Sequence, residues 1–173
     1  MKYVTLALMF GVIAFWSSGN AADQKAAQPN PNIDMPGYLK ISQEAAKHRD
    51  SHRVSEADFI KMSKEDGTIV LDARSKQKFD LLHIEGAINL NFSDIDIESL
   101  KQTIPDKNTR ILIYCNNNFR NSEMAFASKL PTASLNLSTF IALYNYGYKN
   151  VYELAPRIDP VKSKLTLVSK TSK

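Results

Sequence analysis

The amino-acid sequence predicts an α/β fold, a single domain in which helices flank an open, mostly parallel sheet. Short apolar, β-branched runs, of which 68–74 and 109–115 are the clearest, have the pattern of strands buried on both faces. Segments with helical patterns separate these runs, and that alternation is typical of parallel sheets. A chain of 173 residues, 43% hydrophobic and 23% charged, suits one globular domain.

The first 22 residues have the pattern of a secretory signal peptide. Lys2 precedes a 14-residue apolar run, and small residues that suit cleavage follow it, ending at Ala21 and Ala22. The run is shorter than the about 20 residues that a membrane-spanning helix needs. We therefore expect cleavage, a periplasmic protein, and no stable membrane anchor afterwards.

The rest of the chain divides into three predicted segments. Residues 23–52 are expected to be a linker with a short helix at 40–47, in which His48 and His52 face solvent. Residues 53–157 are expected to be the domain, and 158–173 a basic, solvated tail. Within the domain, the strands are predicted at 68–74, 86–92, 109–115 and 150–155, and the helices at 55–67, 75–83, 94–104, 121–130 and 137–148.

The only cysteine of the chain, Cys115, ends the predicted strand 109–115. Ligands of open parallel sheets bind at the carboxyl ends of the strands. The following loop is expected to enter the helix predicted at 121–130, whose N-terminus, together with Arg120, would favour a thiolate over a thiol. A buried, inert cysteine is the alternative. The sequence favours a reactive nucleophile.

Three motifs, in order, resemble the rhodanese family. "VLDARSKQKFDLLHIEGAINLNF" (70–92) resembles the family's strand ending in Asp-x-Arg and its His-Ile-x-Gly-Ala-x-Asn segment, matched by Asp72, Arg74 and His83. "ILIYCNNNFRNSEMA" resembles the active-site strand and loop, with Cys115 and Arg120 at the matching spacing. "YGYKNVYELA" resembles the closing strand. The resemblance covers about residues 53–156.

The resemblance implies a sulfurtransferase in which Cys115 carries a persulfide. The sulfur would come from a small donor, thiosulfate or a persulfide, and pass to a thiol or cyanide acceptor. The backbone N–H groups of the loop residues would bind the donor, and Arg120 would attract its charge. Asp72, Arg74 and His83 are expected to be structural. Neither a metal nor an organic cofactor is implied. The predicted donor-binding residues are Asn116, Asn117, Asn118 and Phe119.

Some features depart from the family. Asn118 stands where the family often has glycine, and Asn121 where it often has serine or threonine. Residues 131–139 resemble an insertion that either lies near the pocket rim or extends the fold. A non-catalytic binding module on the same scaffold is therefore the main alternative. A phosphatase or arsenate reductase relative is less favoured, because the loop from Cys115 through Arg120 has six residues rather than seven.

The net charge of +4 is spread along the chain without a basic stripe, so nucleic acid is not a predicted partner. No oligomeric state is predicted.

Overall fold

The computed structural model describes residues 30–170, and a compact unit begins at Asp34. The helices of this unit are α1 (Met35–Asp50), α2 (Glu56–Ser63), α3 (Lys76–Leu81), α4 (Ile97–Thr103) and α5 (Leu135–Asn145). Its strands are β1 (Arg53–Val54), β2 (Thr68–Asp72), β3 (His83–Ile84), β4 (Ile88–Asn89), β5 (Arg110–Tyr114), β6 (Val151–Leu154) and β7 (Leu167–Val168). The predicted signal peptide lies outside the described residues. Among those described, no helix combines the length and apolar character needed to cross a bilayer.

The main sheet has the strand order β1-β6-β5-β2-β4, and all its pairings are parallel. The fold class is therefore the predicted one, an α/β domain with a mostly parallel sheet. β5 lies in the middle, so its carboxyl end is flanked by β6 on one side and β2 on the other. β3 and β7 form a separate antiparallel pair.

Alternate residues of β5 face two different cores, as the two-residue period of a strand requires. Ile111 and Ile113 belong to the core that includes residues of α1, α4 and α5. Leu112 and Tyr114 belong to the core that includes Phe59 of α2. Both faces of the central strand are thus buried, which explains its continuous apolar sequence.

The N-terminal helix is longer than the sequence predicts. α1 runs from Met35 to Asp50 rather than from 40 to 47, and the Asp34 side chain caps it by accepting from the Gly37 N–H. Ala45 is fully buried in a core shared with α5. This packing stabilises a helix whose sequence is only weakly amphipathic, so its full length depends on tertiary contacts.

The two histidines of this region were predicted to face solvent, and the structure shows that they do not. The rings of His48 and His52 are half-buried and stack on each other, with centroids 3.9 Å apart. The His48 Nε2 donates to the Lys149 carbonyl at 2.7 Å, which ties α1 to the turn before β6.

The helix predicted at 121–130 is absent, and turns occupy this segment. Asn121 has a φ of 59°, the left-handed region, which interrupts right-handed helix at its predicted start. Four main-chain carbonyls of this segment accept from side chains elsewhere in the fold, and a helix over 121–130 would pair the first two of them internally. Those carbonyls are Met124 (from Lys78), Ala125 (from Arg74), Ala127 (from Asn116) and Lys129 (from Asn117).

The C-terminal segment is packed against the domain instead of forming the solvated tail predicted from residue 158. We call residues 156–170 the C-terminal strap. Its β7 pairs with β3, and Leu165 is 7% exposed. The Ser163 hydroxyl donates to Glu56 at 2.6 Å. Apolar residues between the lysines account for this packing, because they fill the core beside α2.

Candidate active site

The Cys115 side chain lies directly after β5, at the carboxyl end of the central strand, and is 1% exposed. Its sulfur has two polar neighbours. The Asn117 N–H donates to it at 3.4 Å, and the Ser134 hydroxyl lies 3.5 Å away. The structure thus gives the sulfur the predicted place in the sheet, with fewer donors than the sequence implies.

The loop after Cys115 is a 3₁₀ turn over Asn116–Asn118 and does not surround the sulfur with amides. The Asn118 N–H donates to the Cys115 carbonyl at 3.2 Å, and the Phe119 N–H to the Asn116 carbonyl at 3.2 Å. The Arg120 N–H donates to Ile158 of the C-terminal strap at 3.0 Å. Of the amides expected to bind a donor, those of Asn118 and Phe119 are therefore occupied, and that of Asn117 faces sulfur.

Asn118 is a buried hub rather than a replacement for a left-handed glycine. Its Oδ1 accepts from the Cys115 N–H at 2.8 Å and from Asn136 at 3.0 Å. Its Nδ2 donates to the Leu154 carbonyl at 2.6 Å. The side chain fixes the loop to β6 and α5, and this explains why asparagine suits the position.

The other two asparagines of the loop hold the segment 121–130. Asn116 Nδ2 donates to Ala127 O at 2.7 Å, and Asn117 exchanges two hydrogen bonds with the main chain of Lys129. The run of three asparagines therefore provides side-chain hydrogen bonds in place of a helix.

Phe119, one of the residues expected to bind the donor, is a core residue. It is fully buried and stacks on Phe126, with ring centroids 4.1 Å apart. Its main chain forms a bridge with Ile158 of the strap. Packing therefore accounts for its side chain.

The Arg120 side chain is exposed and makes no hydrogen bond or ion pair with any described residue. Its charge acts on Asp159, whose pKa is lowered first by the hydrogen bond from Asn121 and also by Arg120. The structure thus brings Arg120 beside the strap and gives no contact between its guanidinium and Cys115.

Asp72 and Arg74 form a buried ion pair at the end of β2. Arg74 donates to both Asp72 oxygens, at 2.6 Å for the shortest contact, and to the carbonyls of Ala125 and Leu82. The Tyr114 hydroxyl donates to Asp72 at 2.6 Å. Burial, and next the Asp72 charge, raise the pKa of Tyr114 well above 10.0, so it remains a donor.

The buried His83 packs against α3. It is 3% exposed, its Nδ1–H donates to the Phe79 carbonyl at 2.7 Å, and its ring stacks on that of Phe79. These contacts occupy the side chain without involving the sulfur.

A cavity of about 530 Å³ lies beside the Cys115 loop, at the carboxyl end of the sheet. Its lining comes from the loops after β2 and β4, from Asn116 and from the start of α5. The cationic residues of the lining are Lys78, Lys129 and Arg74, of which Arg74 is neutralised by its ion pair with Asp72, and no carboxylate lines it among the described residues. Its volume suits a ligand of small-molecule size, and its charge favours an anion.

Sequence reasoning missed Ser134, Asn136 and the two cavity lysines. The apparent insertion 131–139 is expected near the pocket rim, and Leu135 does line the cavity. The last helix is predicted over 137–148, but α5 begins earlier, at Leu135, with Ser134 as its N-cap. No group of three or more metal-ligating side chains occurs between residues 30 and 170.

Comparisons with known proteins agree with this architecture. The family model of the rhodanese-like domain matches residues 55–155. The tRNA uridine(34) hydroxylases of Bacillus thuringiensis (strain Al Hakam) and Bacillus cereus (strain B4264) are 28% identical over 114 residues, covering 60% of this chain and 33% of theirs. The chain thus spans about a third of the length of these curated relatives.

Two solved structures share similarity at a lower level. A rhodanese with anions from E. coli has a TM-score of 0.40 and 22% identity, over 59% of this chain and 98% of the other. The BH2092 protein from Bacillus halodurans has a TM-score of 0.41 and 22% identity, over 73% and 77%. Because the family model spans more than half of the sequence, the chain belongs to the rhodanese-like domain family.

Proposed function

We propose that this protein is a sulfurtransferase that moves a sulfane sulfur through a persulfide on Cys115. In the first step, the thiolate attacks the outer sulfur of thiosulfate. A new S–S bond forms on Cys115, the S–S bond of the donor breaks, and sulfite leaves with its electron pair. In the second step, an acceptor thiolate or cyanide attacks the terminal sulfur, and the Cys115 thiolate leaves.

The placement of the Cys115 sulfur carries this proposal. It lies at the carboxyl end of the central strand, where ligands of such sheets bind, with an N–H at 3.4 Å and a hydroxyl at 3.5 Å. Both groups can stabilise negative charge on sulfur. The neighbouring cavity, with its cationic lining, supplies room for an anionic donor or acceptor.

The cavity volume of about 530 Å³ is far larger than thiosulfate requires. We therefore infer that the acceptor, rather than the donor, fills it, and that this acceptor is a small thiol carrying negative charge. The N-terminal sequence pattern supports export, so the proposed compartment is the periplasm.

A second candidate, a non-catalytic binding module, is favoured by one specific observation. The amides of Asn118, Phe119 and Arg120 are already paired with main-chain carbonyls, and Cys115 is 1% exposed. A donor can reach the sulfur only if the loop or the start of α5 shifts. The hydroxylase activity in the name of the curated relatives is not carried over, because the match covers a third of those proteins.

Intact-mass measurement tests the proposal. The mature protein is treated with thiosulfate, and in parallel with a small-molecule persulfide, and then desalted. We expect the wild type to gain one sulfur atom, the Cys115→Ser variant to gain none, and a later addition of thiol to remove the sulfur. If the wild-type protein gains no sulfur from either donor, the sulfurtransferase proposal is rejected and the non-catalytic binding module takes its place.

A further inference from the structure

The start of helix α5 lies against the Cys115 sulfur. Ser134 is the N-cap of this 11-residue helix, yet its side chain makes no capping hydrogen bond. Its hydroxyl lies 3.5 Å from the Cys115 sulfur instead. An N-cap serine normally satisfies an amide of its own helix, so its use on a sulfur is a departure from ordinary capping.

A second contact fixes the same helix turn to the Cys115 loop. Asn136 Nδ2 donates at 3.0 Å to the Asn118 Oδ1, which also accepts the Cys115 N–H at 2.8 Å. Asn136 is 3% exposed, and its Oδ1 has no partner among the described residues. The first turn of α5 is thus linked to Cys115 twice, by Ser134 at the sulfur and by Asn136, through Asn118, at the N–H. Moving Ser134 away from the sulfur would break these contacts.

The direction of the Ser134–Cys115 hydrogen bond depends on the charge of the sulfur. With a neutral thiol, either atom can donate. A thiolate or a persulfide anion has no proton, so the Ser134 hydroxyl must then be the donor. Charge-assisted hydrogen bonds are roughly twice as strong as neutral ones. The contact therefore stabilises the anionic sulfur more than the neutral one.

We propose that Ser134 is a catalytic residue that stabilises negative charge on the Cys115 sulfur, in the thiolate before sulfur transfer and in the persulfide after it. The inference rests on the proposed sulfurtransferase function. It also gives the apparent insertion a role, because this segment delivers a helix start to the sulfur where the helix predicted at 121–130 is missing.

Three variants separate this role from ordinary helix capping. Ser134→Ala removes the hydroxyl. Ser134→Asp keeps a residue that caps helices as well as serine does, but places a carboxylate beside the sulfur. Capping alone predicts that Ser134→Asp behaves as wild type, whereas charge stabilisation predicts that it is the most impaired. Ser138→Ala is the matched control, because Ser138 lies on the same helix but lines a different cavity.

The first readout is the rate of Cys115 alkylation by iodoacetamide as a function of pH, which requires no sulfur donor. We expect the midpoint to rise by about one pH unit in Ser134→Ala, a tenfold change in the thiolate equilibrium, and further in Ser134→Asp. The second readout is the rate of persulfide formation with thiosulfate at fixed pH. It should fall about tenfold or more in both variants and stay unchanged in Ser138→Ala.

Unchanged midpoints and rates in Ser134→Ala and Ser134→Asp, with an active wild type, would overturn the role of Ser134 and leave the proposed function intact. A wild type that acquires no sulfur, together with a raised midpoint in Ser134→Ala, would refute the proposed function and support the contact with the thiolate. If Ser134→Ala does not fold, Ser134→Asp decides, and a wild-type midpoint in that variant overturns the inference.

Discussion

The carboxyl ends of β2 and β5 lie side by side in the sheet, yet their polar groups are in opposite states. At the end of β2, the Asp72 carboxylate and the Arg74 guanidinium are fully engaged by each other, by Tyr114 and by two carbonyls. At the end of β5, the Cys115 sulfur has two long contacts. Nearby on α5, the buried Asn136 Oδ1 and Thr139 Oγ1 have no partner in the described part of the chain.

This difference separates a region whose polar groups are all paired from one that we propose to be reactive. A buried charge pair whose hydrogen bonds are all made has a single low-energy arrangement and no capacity for a ligand. A sulfur with few donors can still gain interactions when its charge changes. The two strand ends resemble two different motifs of one family, and their polar groups differ in how completely they are paired.

The largest effect is expected from breaking the ion pair at β2. Arg74→Met removes the guanidinium, leaves the Asp72 charge buried, and should destabilise the fold by about 3–5 kcal/mol. Urea denaturation measures this. Lys76→Met, which breaks the exposed pair with Asp80, is the control and should cost about 1 kcal/mol or less. Equal losses in the two variants would mean that the β2 network does not hold the domain.

The next effect sharpens the comparison at the β5 end. Asn118→Ala leaves the buried Cys115 N–H and the Leu154 carbonyl without partners, and should cost about 1–3 kcal/mol. Alkylation of Cys115 at a fixed pH should also become faster, because the loop is released from β6. Asn117→Ala is the control, since water replaces the exposed hydrogen bonds of its side chain. A stable Asn118→Ala with wild-type alkylation would show that the hub is dispensable.

A smaller effect is expected at Arg120. Its side chain is exposed and acts on Asp159, so Arg120→Ala should slow persulfide formation by less than about tenfold. Single-turnover reaction with thiosulfate, followed by mass, measures this. Lys129→Ala, which removes a cation from the cavity lining, should slow the reaction more. A loss of a hundredfold or more in Arg120→Ala would mean that the guanidinium moves onto the sulfur during transfer.

The smallest effect concerns His52, far from both strand ends. Burial, and to a lesser extent the charge of His48, lower the pKa of His52 below 6.5, although a hydrogen bond to His48 opposes this. The folded state therefore disfavours its protonation. The free energy of unfolding therefore has its full value above pH 6.5. It decreases as the pH falls from 6.5 towards the lowered pKa of His52. The melting temperature should fall slightly between pH 7 and pH 5, and less in His52→Gln. An identical fall in both proteins would contradict this.

The sequence predicted the central strands and the place of Cys115, because both depend on local pattern. The apolar character of a run such as 109–115 is visible in the sequence itself. The residues of the Asp72–Arg74 pair are only two positions apart. The conformation of the loop could not be predicted in this way. It depends on carbonyls from 124–129 meeting side chains of Arg74, Lys78 and Asn116, and on the strap accepting the Arg120 N–H.

The incorrectly predicted helix at 121–130 illustrates the same limit. Its composition favours helix, but a helix needs its own carbonyls for internal hydrogen bonds. Distant side chains bind two of those carbonyls, Met124 and Ala125, and Asn121 turns the chain into the left-handed region. The length of α1 and the packing of the strap likewise depend on partners about a hundred residues away. Tertiary contacts of this kind leave no local trace in sequence.

The pairing of β1 with β6 and of β3 with β7 has a consequence for how the chain folds. Arg53 lies opposite Glu153, and His83 opposite Val168, so strands from the first half stay unpaired until the last part of the chain is present. Contacts this distant in sequence make folding slow. The entropy cost of closing a long loop comes before the strand pairing that offsets it. A nascent chain that ends near residue 150 would lack the partners of both β1 and β3. The domain therefore stays incomplete until residues 151–168, which contain β6 and β7, have been synthesised.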